Sequence, residues 1–410
     1  VNRERLDAAR AAESAARTGY GRLVAHLARR SGDLAGAEDA LGDALAAALE
    51  AWPRSGVPRE PERWLSSVAR RRLIDRGRHD ALRQRPDVAA ALAAVTSDGD
   101  PLRLCDDRLR LMLVCAHPAI DAAIRPALML QAVLGLEAKA MSGAFLVSPE
   151  TLTKRLVRAK AKLRANRVPF EEPESTDLTA RRAAVLEAIY GAYTLGQPGA
   201  LDDGDLRHDL RREAFQLAEL VAGQLPTEPE ALGLLALFHF VEARRPAQCG
   251  RDGVFVPLLD QDPSRWDRAH LARGHTWLNA AARRGTIGPF QLEAAIQAAH
   301  CDRARTGVVP WPEIVGLYRR LIEHHPTIGA QIGLSVAVAH ASGDPRAGLG
   351  ILASIDPARV RDHQPWWVAL AHLQAQAGEH ESARHSLDRA LGLTVDPRLR
   401  RFLASRLDAL

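Results

Sequence analysis

ERWLSSVARRRLIDRGRHDALRQR, residues 62–85, decides how this chain is read. Its apolar positions Trp64, Leu65, Val68, Ala69 and Leu73 recur at helical spacing. A helix here buries one stripe and turns the rest outward. The rest is arginine: Arg63, Arg70, Arg71, Arg72, Arg76, Arg78, Arg83 and Arg85 stand against only Glu62, Asp75 and Asp80. Guanidinium groups match phosphates and base edges with paired donors. A solvated charged face has the same composition, so the stretch alone leaves both readings open.

Upstream, LAGAEDALGDALAAALEAW, residues 34–52, sets Leu34, Ala37, Leu41, Leu45 and Leu49 three or four apart. Asp39 and Asp43 fall on another face of that helix. No His or Lys accompanies them, so they read as a solvated or partner-binding face, not an acid–base pair. Residues 3–30 read as one or two earlier helices, closed by Ser31-Gly32-Asp33. PRSGVPREP, residues 53–61, carries three prolines in nine residues and is expected to be a loop. Gly77 is expected to mark the end of the arginine helix and Pro86 the end of its frayed continuation. The Ala-rich run that turns to Thr-Ser-Asp-Gly-Asp-Pro reads as a linker at 87–105.

A second basic helix lies downstream. Ser148-Pro149-Glu150 has helix-start chemistry: a capping hydroxyl, a proline at the first position and an acid in the first turn. The helix from 149 to 164 places Leu152, Leu156 and Leu163 on one stripe and Lys154, Arg155, Arg158, Lys160, Lys162 and Arg164 elsewhere. It follows a short helix at 137–144 and a turn. Helix, turn and basic helix is a major-groove-reading arrangement, and it favours nucleic acid for both basic helices.

A second linker is expected at 169–180, followed by a longer helical region at 181–410. Gly343-Asp344 and Gly378-Glu379 sit 35 residues apart between helix-period segments. Trp367, Leu370, Ala371, Ala383, Leu387 and Ala390 fit a tetratricopeptide pattern. Ser335 and Gly348 fit it poorly in the preceding unit. Stacked helical hairpins of this kind offer grooves to a regulatory protein or peptide partner. Trp266, Trp277, Trp311, Trp366 and Trp367 read as core residues.

The chain has 410 residues and a formal net charge of +5, with the positive excess concentrated in the first 170. Aromatics are few and strand-favouring runs nearly absent, so the expected class is all-α. No run approaches the ~18 apolar residues of a membrane span, and the first ten residues lack a signal-peptide core. Cys105, Cys115, Cys249 and Cys301 are far apart. Disulfides and a zinc knuckle are not expected, nor any other metal or cofactor, and a reducing cytoplasm fits.

The N-terminal 170 residues resemble bacterial RNA polymerase sigma factors of the extracytoplasmic-function type. AEDALGDALAAALEAW looks like the domain-two helix that grips the polymerase clamp, which implies polymerase contacts at Asp39, Leu41, Asp43 and Leu45. PERWLSSVARRRLIDRGR looks like the helix that melts and reads the minus-ten element. That implies DNA contacts at Arg63, Arg70, Arg71, Arg72, Arg76 and Arg78, with Arg54 and Arg59 beside a flipped base. GLEAKAMSGAFLVSPETLTKRLVRAKAKLR looks like the domain-four helix-turn-helix that reads the minus-thirty-five element, implying Ser148, Thr151, Lys154, Arg155, Arg158 and Lys162. Residues 1–86 then correspond to sigma domain two and 106–168 to sigma domain four. The family often has Asn where Arg71 stands, and Glu-Ile-Ala where Ala140-Met141-Ser142 stands. The region 181–410 resembles the long helical extension of one subgroup, which implies regulation in cis. The implied partners are core RNA polymerase and promoter DNA, and the polymerase supplies the chemistry.

Two other readings stay open. A helix-turn-helix regulator that never joins polymerase would keep the second basic helix without needing residues 37–52. An enzyme would use the loop bearing Asp260, Asp262 and Asp267 with His270 and His275. That loop has no recognised ligand spacing, and helix capping by Asp262 or Ser264 accounts for it equally.

Overall fold

In the computed structural model, α1 (Asn2–Ser31) ends where Gly32 takes a φ of 66° and donates its N–H to Ala28. Described are residues 2–83, 106–142, 145, 147–170, 175–197 and 204–410, without the side chains of 2–5, 17–18, 77–83, 175–177 and 204–208. The expected linker at 87–105, Cys105, Arg85 and part of the expected linker at 169–180 lie outside them, as does the side chain of Arg78. The class is all-α: among the described residues there is no strand, only an isolated bridge between Cys249 and Phe255. Contacts divide the chain into two compact units, 1–195 and 196–410.

In the first unit α1 packs with α2 (Leu34–Ser55) and α3 (Pro61–Arg83) as a three-helix bundle. Leu23, Leu27, Leu41, Trp52 and Leu65 fill its core, each worth roughly 1.5–3 kcal/mol of burial. Trp52 meets Trp64 edge to face at 5.5 Å, which fixes α2 against α3. Two expected boundaries are corrected. α2 does not stop at Trp52 but carries Pro53 in its last turn and runs to Ser55. A proline there removes a single donor, that to the Leu49 carbonyl, and the Ser55 hydroxyl donates to the Ala51 carbonyl in the same last turn. α3 likewise passes through Gly77 to Arg83, because one glycine costs only about 1 kcal/mol of helix propensity.

The chain continues as α4 (Arg108–Cys115), α5 (Arg125–Leu134), α6 (Ala138–Met141), α7 (Pro149–Ala165) and α8 (Ser175–Leu195). α1 lies on α4 and α5, and α8 packs on both of them as well. α1 and α5 come into backbone contact at Gly21. A Cβ there would stand 2.1 Å from the Val133 carbonyl oxygen. The Tyr20 ring lies against Gly135, whose φ of 67° closes α5.

In the second unit α10 (Pro229–Arg244) is apolar on all sides because α9 (Gly204–Gln224), α11 (Arg268–Ala282) and α12 (Pro289–Cys301) surround it. Glu230 of α10 caps α12, accepting from the N–H groups of Phe290 (2.8 Å) and Gln291 (3.1 Å). After α13 (Arg303–Thr306) come α14 (Trp311–His324), α15 (Ile328–Ser342), α16 (Pro345–Ala353), α17 (Pro357–Val360), α18 (Gln364–Gln376), α19 (His380–Gly392) and α20 (Pro397–Asp408). Neighbouring long helices pack in succession. The two residues that fitted the repeat pattern poorly are a close approach: a Cβ on Gly348 would stand 2.5 Å from the Ser335 carbonyl oxygen. The unit closes on itself where Arg401 donates to Gly253 (2.7 Å) and Phe402 meets Phe255 at 5.8 Å.

Two buried histidines make this unit sensitive to acid. His239 lies 2.9 Å from His270, Nδ1 to Nδ1, so the pair cannot hold a proton on both facing atoms. Burial, then the His270 charge, pushes His239 down to about 4. Burial, then the Arg244 charge, does the same to His300. The folded unit therefore binds fewer protons than the unfolded chain between about 4 and the ordinary value of 6.5. Its stability is fully present above 6.5 and declines as pH falls toward 4. Five of the seven tryptophans belong to this unit. Thermal melts followed by tryptophan fluorescence should show the melting temperature falling from pH 7 to 4.5, with a shallower slope in His300→Gln. An equal slope in that variant would remove His300 from the cause.

Candidate nucleic-acid interface

The arginines of α3 separate into distinct environments. Arg70, Arg71 and Arg72 are exposed, and none makes a hydrogen bond or ion pair among the described residues. Arg63 is exposed but donates to Glu60 (2.6 Å). Arg76 reaches across to α2 and pairs with Asp39 (3.3 Å) and Asp43 (2.8 Å). An expected DNA contact and two expected polymerase contacts thus hold each other. Pairs this exposed are worth about 0–1 kcal/mol, so an incoming partner displaces them at small cost. Arg54 and Arg59 are exposed on either side of the turn at 56–58.

One expected contact is corrected. Leu41 is 0% exposed, because its turn of α2 faces α1 and α3. It shapes the helix and offers no surface to a partner. Leu45 is half-buried, and Leu49 is the exposed leucine of α2 at 51%.

On α7, Ser148 caps the N-terminus: its Oγ accepts from the Thr151 N–H (3.2 Å) and donates to the Thr151 hydroxyl (2.9 Å). Leu152, Leu156, Ala159 and Leu163 are buried. Thr151, Lys154, Arg155, Arg158 and Lys162 are exposed, and the four cations have no acidic partner among the described residues. Val157, 60% exposed, lies among them as an exposed apolar side chain.

Sequence reasoning missed what the other basic residues of α7 do. Lys160 pairs with Glu38 of α2, and both side chains are nearly buried, at 14% and 12% exposure. Arg164 pairs with Asp33 at 3.5 Å. On the far side Arg29 of α1 pairs with Asp107 at 3.2 Å. Burial raises the pKa of Glu38 while Lys160 opposes the rise. The second carboxylate oxygen of Glu38 is buried without a hydrogen-bond partner. These contacts fasten α7 and α4 to the three-helix bundle.

The acids of the 260–267 loop do not converge. Asp262 caps the Ser264 N–H, and Asp267 caps those of Ala269 and His270, and these hydrogen bonds lower both carboxyl pKa values. Asp260 stands 3.8 Å from Arg406. Arg303 donates to the carbonyls of Leu258 and Gln261 and lies over Trp266, holding the loop in place. Among the described residues no group of three or more His, Cys, Asp or Glu side chains is arranged to hold a metal. None of the described helices is long and apolar enough to cross a membrane.

Residues 17–83, which hold the second half of α1 with α2 and α3, match the family model for sigma-70 region 2. The chain carries a sigma-70 region 2 domain, which supports a sigma-70 family factor. Region 2 implies that this sigma factor binds core RNA polymerase and promoter DNA. Residues 181–282 match a family of unknown function (DUF6596). An uncharacterised protein of Rhizobium meliloti (strain 1021) is 33% identical over 385 residues, covering 91% of this sigma factor and 90% of that protein, so the two belong to one family. No solved structure matches.

The Glu38–Lys160 contact yields a direct test. Removing one member of a nearly buried pair strands the other charge, at a cost of about 3–5 kcal/mol. Lys160→Met should lower the unfolding free energy of the first unit by that order. The double variant Glu38→Leu with Lys160→Met should recover most of it. Chemical denaturation of the unaltered chain, Lys160→Met, Glu38→Leu and the double variant checks this, and additive losses would show the pair to be uncoupled.

Proposed function

We propose that this sigma factor directs core polymerase to promoters through two cationic faces, one on α3 and one on α7. The carrying observation is the pair of unneutralised clusters: Arg70, Arg71 and Arg72 on α3, and Lys154, Arg155, Arg158 and Lys162 on α7. Arg70, Arg71 and Arg72 grip the opened minus-ten strand, with Arg54 and Arg59 beside the extruded base. α7 enters the major groove at the minus-thirty-five element, its N-terminal turns toward the bases. Asp39, Asp43, Leu45 and Leu49 present α2 to the polymerase. The setting is the cytoplasm, where polymerase works.

Magnitudes then require a conformational change. Elements named for positions ten and thirty-five are about 25 base pairs apart, roughly 85 Å at ~3.4 Å per base pair. A compact body of the first unit's length is roughly 40 Å across. The closed unit cannot reach both elements, so α7 leaves α2 and α4–α5 leave α1 when promoter DNA is bound. α8 packs on α4 and α5, and its residues from 181 onward fall in the match to the family of unknown function. That supports in-cis regulation: the extension, read as tetratricopeptide-like, has a hold on the elements that must move.

Purified chain with core polymerase should start transcription from specific promoters. Arg71→Glu with Arg72→Glu should abolish promoter melting by permanganate reactivity while co-elution with polymerase persists. Lys154→Glu with Arg158→Glu should weaken promoter binding and flatten its salt dependence, by about one logarithmic unit of slope for each phosphate no longer neutralised. Retained melting in the first variant would overturn the assignment of α3. Failure to co-elute with polymerase would favour a regulator acting through α7 alone.

A further inference from the structure

Five segments of the second unit converge on one cavity of about 520 Å³, reached from 255–260, 336, 364–375, 387 and 399–410. Its wall is mainly apolar, with Phe255, Leu258, Val368, Ala371, Leu387 and Phe402 prominent. α18 turns small residues toward it, Ala369, Ala371 and Ala375 among them, where larger aliphatic side chains would fill the space. The size and lining are those of small-molecule sites, which are concave and apolar with a few placed polar groups. Convergence of five segments is the geometry of a pocket and not of a trough between two helices.

The polar groups of the lining include Asp260, His372 and Arg406, with Gln364 about two turns along α18 from His372. Gln364 already donates to the Thr394 hydroxyl at 3.2 Å. His372 makes no hydrogen bond among the described residues. Burial lowers its pKa, so the ring is neutral at pH 7 and can donate or accept. Arg406 sits over the Phe402 ring at 5.5 Å, and its 3.8 Å separation from Asp260 is beyond hydrogen-bonding range. Its guanidinium forms a loose ion pair with Asp260 and makes no hydrogen bond among the described residues. Asp260 and Arg406 cancel in charge, so an anion entering here meets a carboxylate and a cation meets a guanidinium.

We propose that this cavity binds a small, uncharged, largely apolar molecule carrying one hydrogen-bond-accepting end group, which Arg406 and His372 receive. The apolar body lies against α18 and α20, and the end group replaces water on the guanidinium. The site involves neither polymerase nor DNA, so it stands or falls separately from the promoter reading.

Nile red suits the test because it is uncharged, apolar and bears one carbonyl acceptor. Titrated into the full chain alone, it should bind one to one with blue-shifted emission. Val368→Trp, at a half-buried lining position, should weaken binding at least tenfold with helicity unchanged by circular dichroism. Ala375→Leu provides the same comparison if the tryptophan variant misfolds. The anionic dye 8-anilinonaphthalene-1-sulfonate should bind at least tenfold more weakly than Nile red, and Asp260→Asn should narrow that gap. Nile red binding unchanged in the folded variants would overturn the site. Stronger binding of the anionic dye to the unaltered chain would overturn the charge assignment.

Discussion

A lysine taken out of water must have an acid beside it, and Lys160 of α7 has Glu38 of α2. The desolvation of two charges is recovered only when they meet in good geometry. The contact therefore fixes more than a distance: it selects which side of α7 faces the bundle. With Lys160 and the Leu152, Leu156 and Leu163 stripe turned inward, Lys154, Arg155, Arg158 and Lys162 turn outward. The glycine contact of α1 with α5 and the Arg29–Asp107 pair hold the same assembly from its other side.

The fastening and the exposed surfaces differ in strength. Glu38 and Lys160 are nearly buried, whereas the Arg76 clasp on Asp39 and Asp43 is open to water. Solvent screening makes the clasp cheap to break, so a partner can take the place of Arg76 on Asp39 and Asp43 without disturbing the bundle. Separating α7 from α2 is harder and needs a partner that compensates Glu38. In the mechanism we propose, the two steps order themselves: polymerase reaches the exposed acids first, and the buried pair yields as α7 finds DNA.

Much of this was legible in the sequence, and the failures have physical reasons. Apolar spacing located the helices, and Ser148-Pro149-Glu150 marked the start of α7 to the residue. Pro53 and Gly77 misled because a breaker near a helix end, or one alone, costs less than the packing of Trp52 and Leu65 supplies. Leu41 resembles a surface residue by analogy, but its helical position faces two neighbours and buries it. Lys160 could not be told from Lys162 by composition, since its partner lies 122 residues away. Ser335 and Gly348 spoil a repeat pattern because they permit two helices to touch. The pocket was invisible for a related reason: five stretches of chain that share no local signal form it only once α20 returns to residues 253–260.

The separation between α3 and α7 tests the central claim most directly. Dyes at Ser67→Cys and Ala161→Cys, both exposed positions, report it by single-molecule energy transfer. The free chain should give a distance below about 40 Å, the breadth of a compact body of this length. With core polymerase and promoter DNA it should lengthen toward the roughly 85 Å that separates the two elements along the duplex. An unchanged short distance in a complex that initiates transcription would contradict the account.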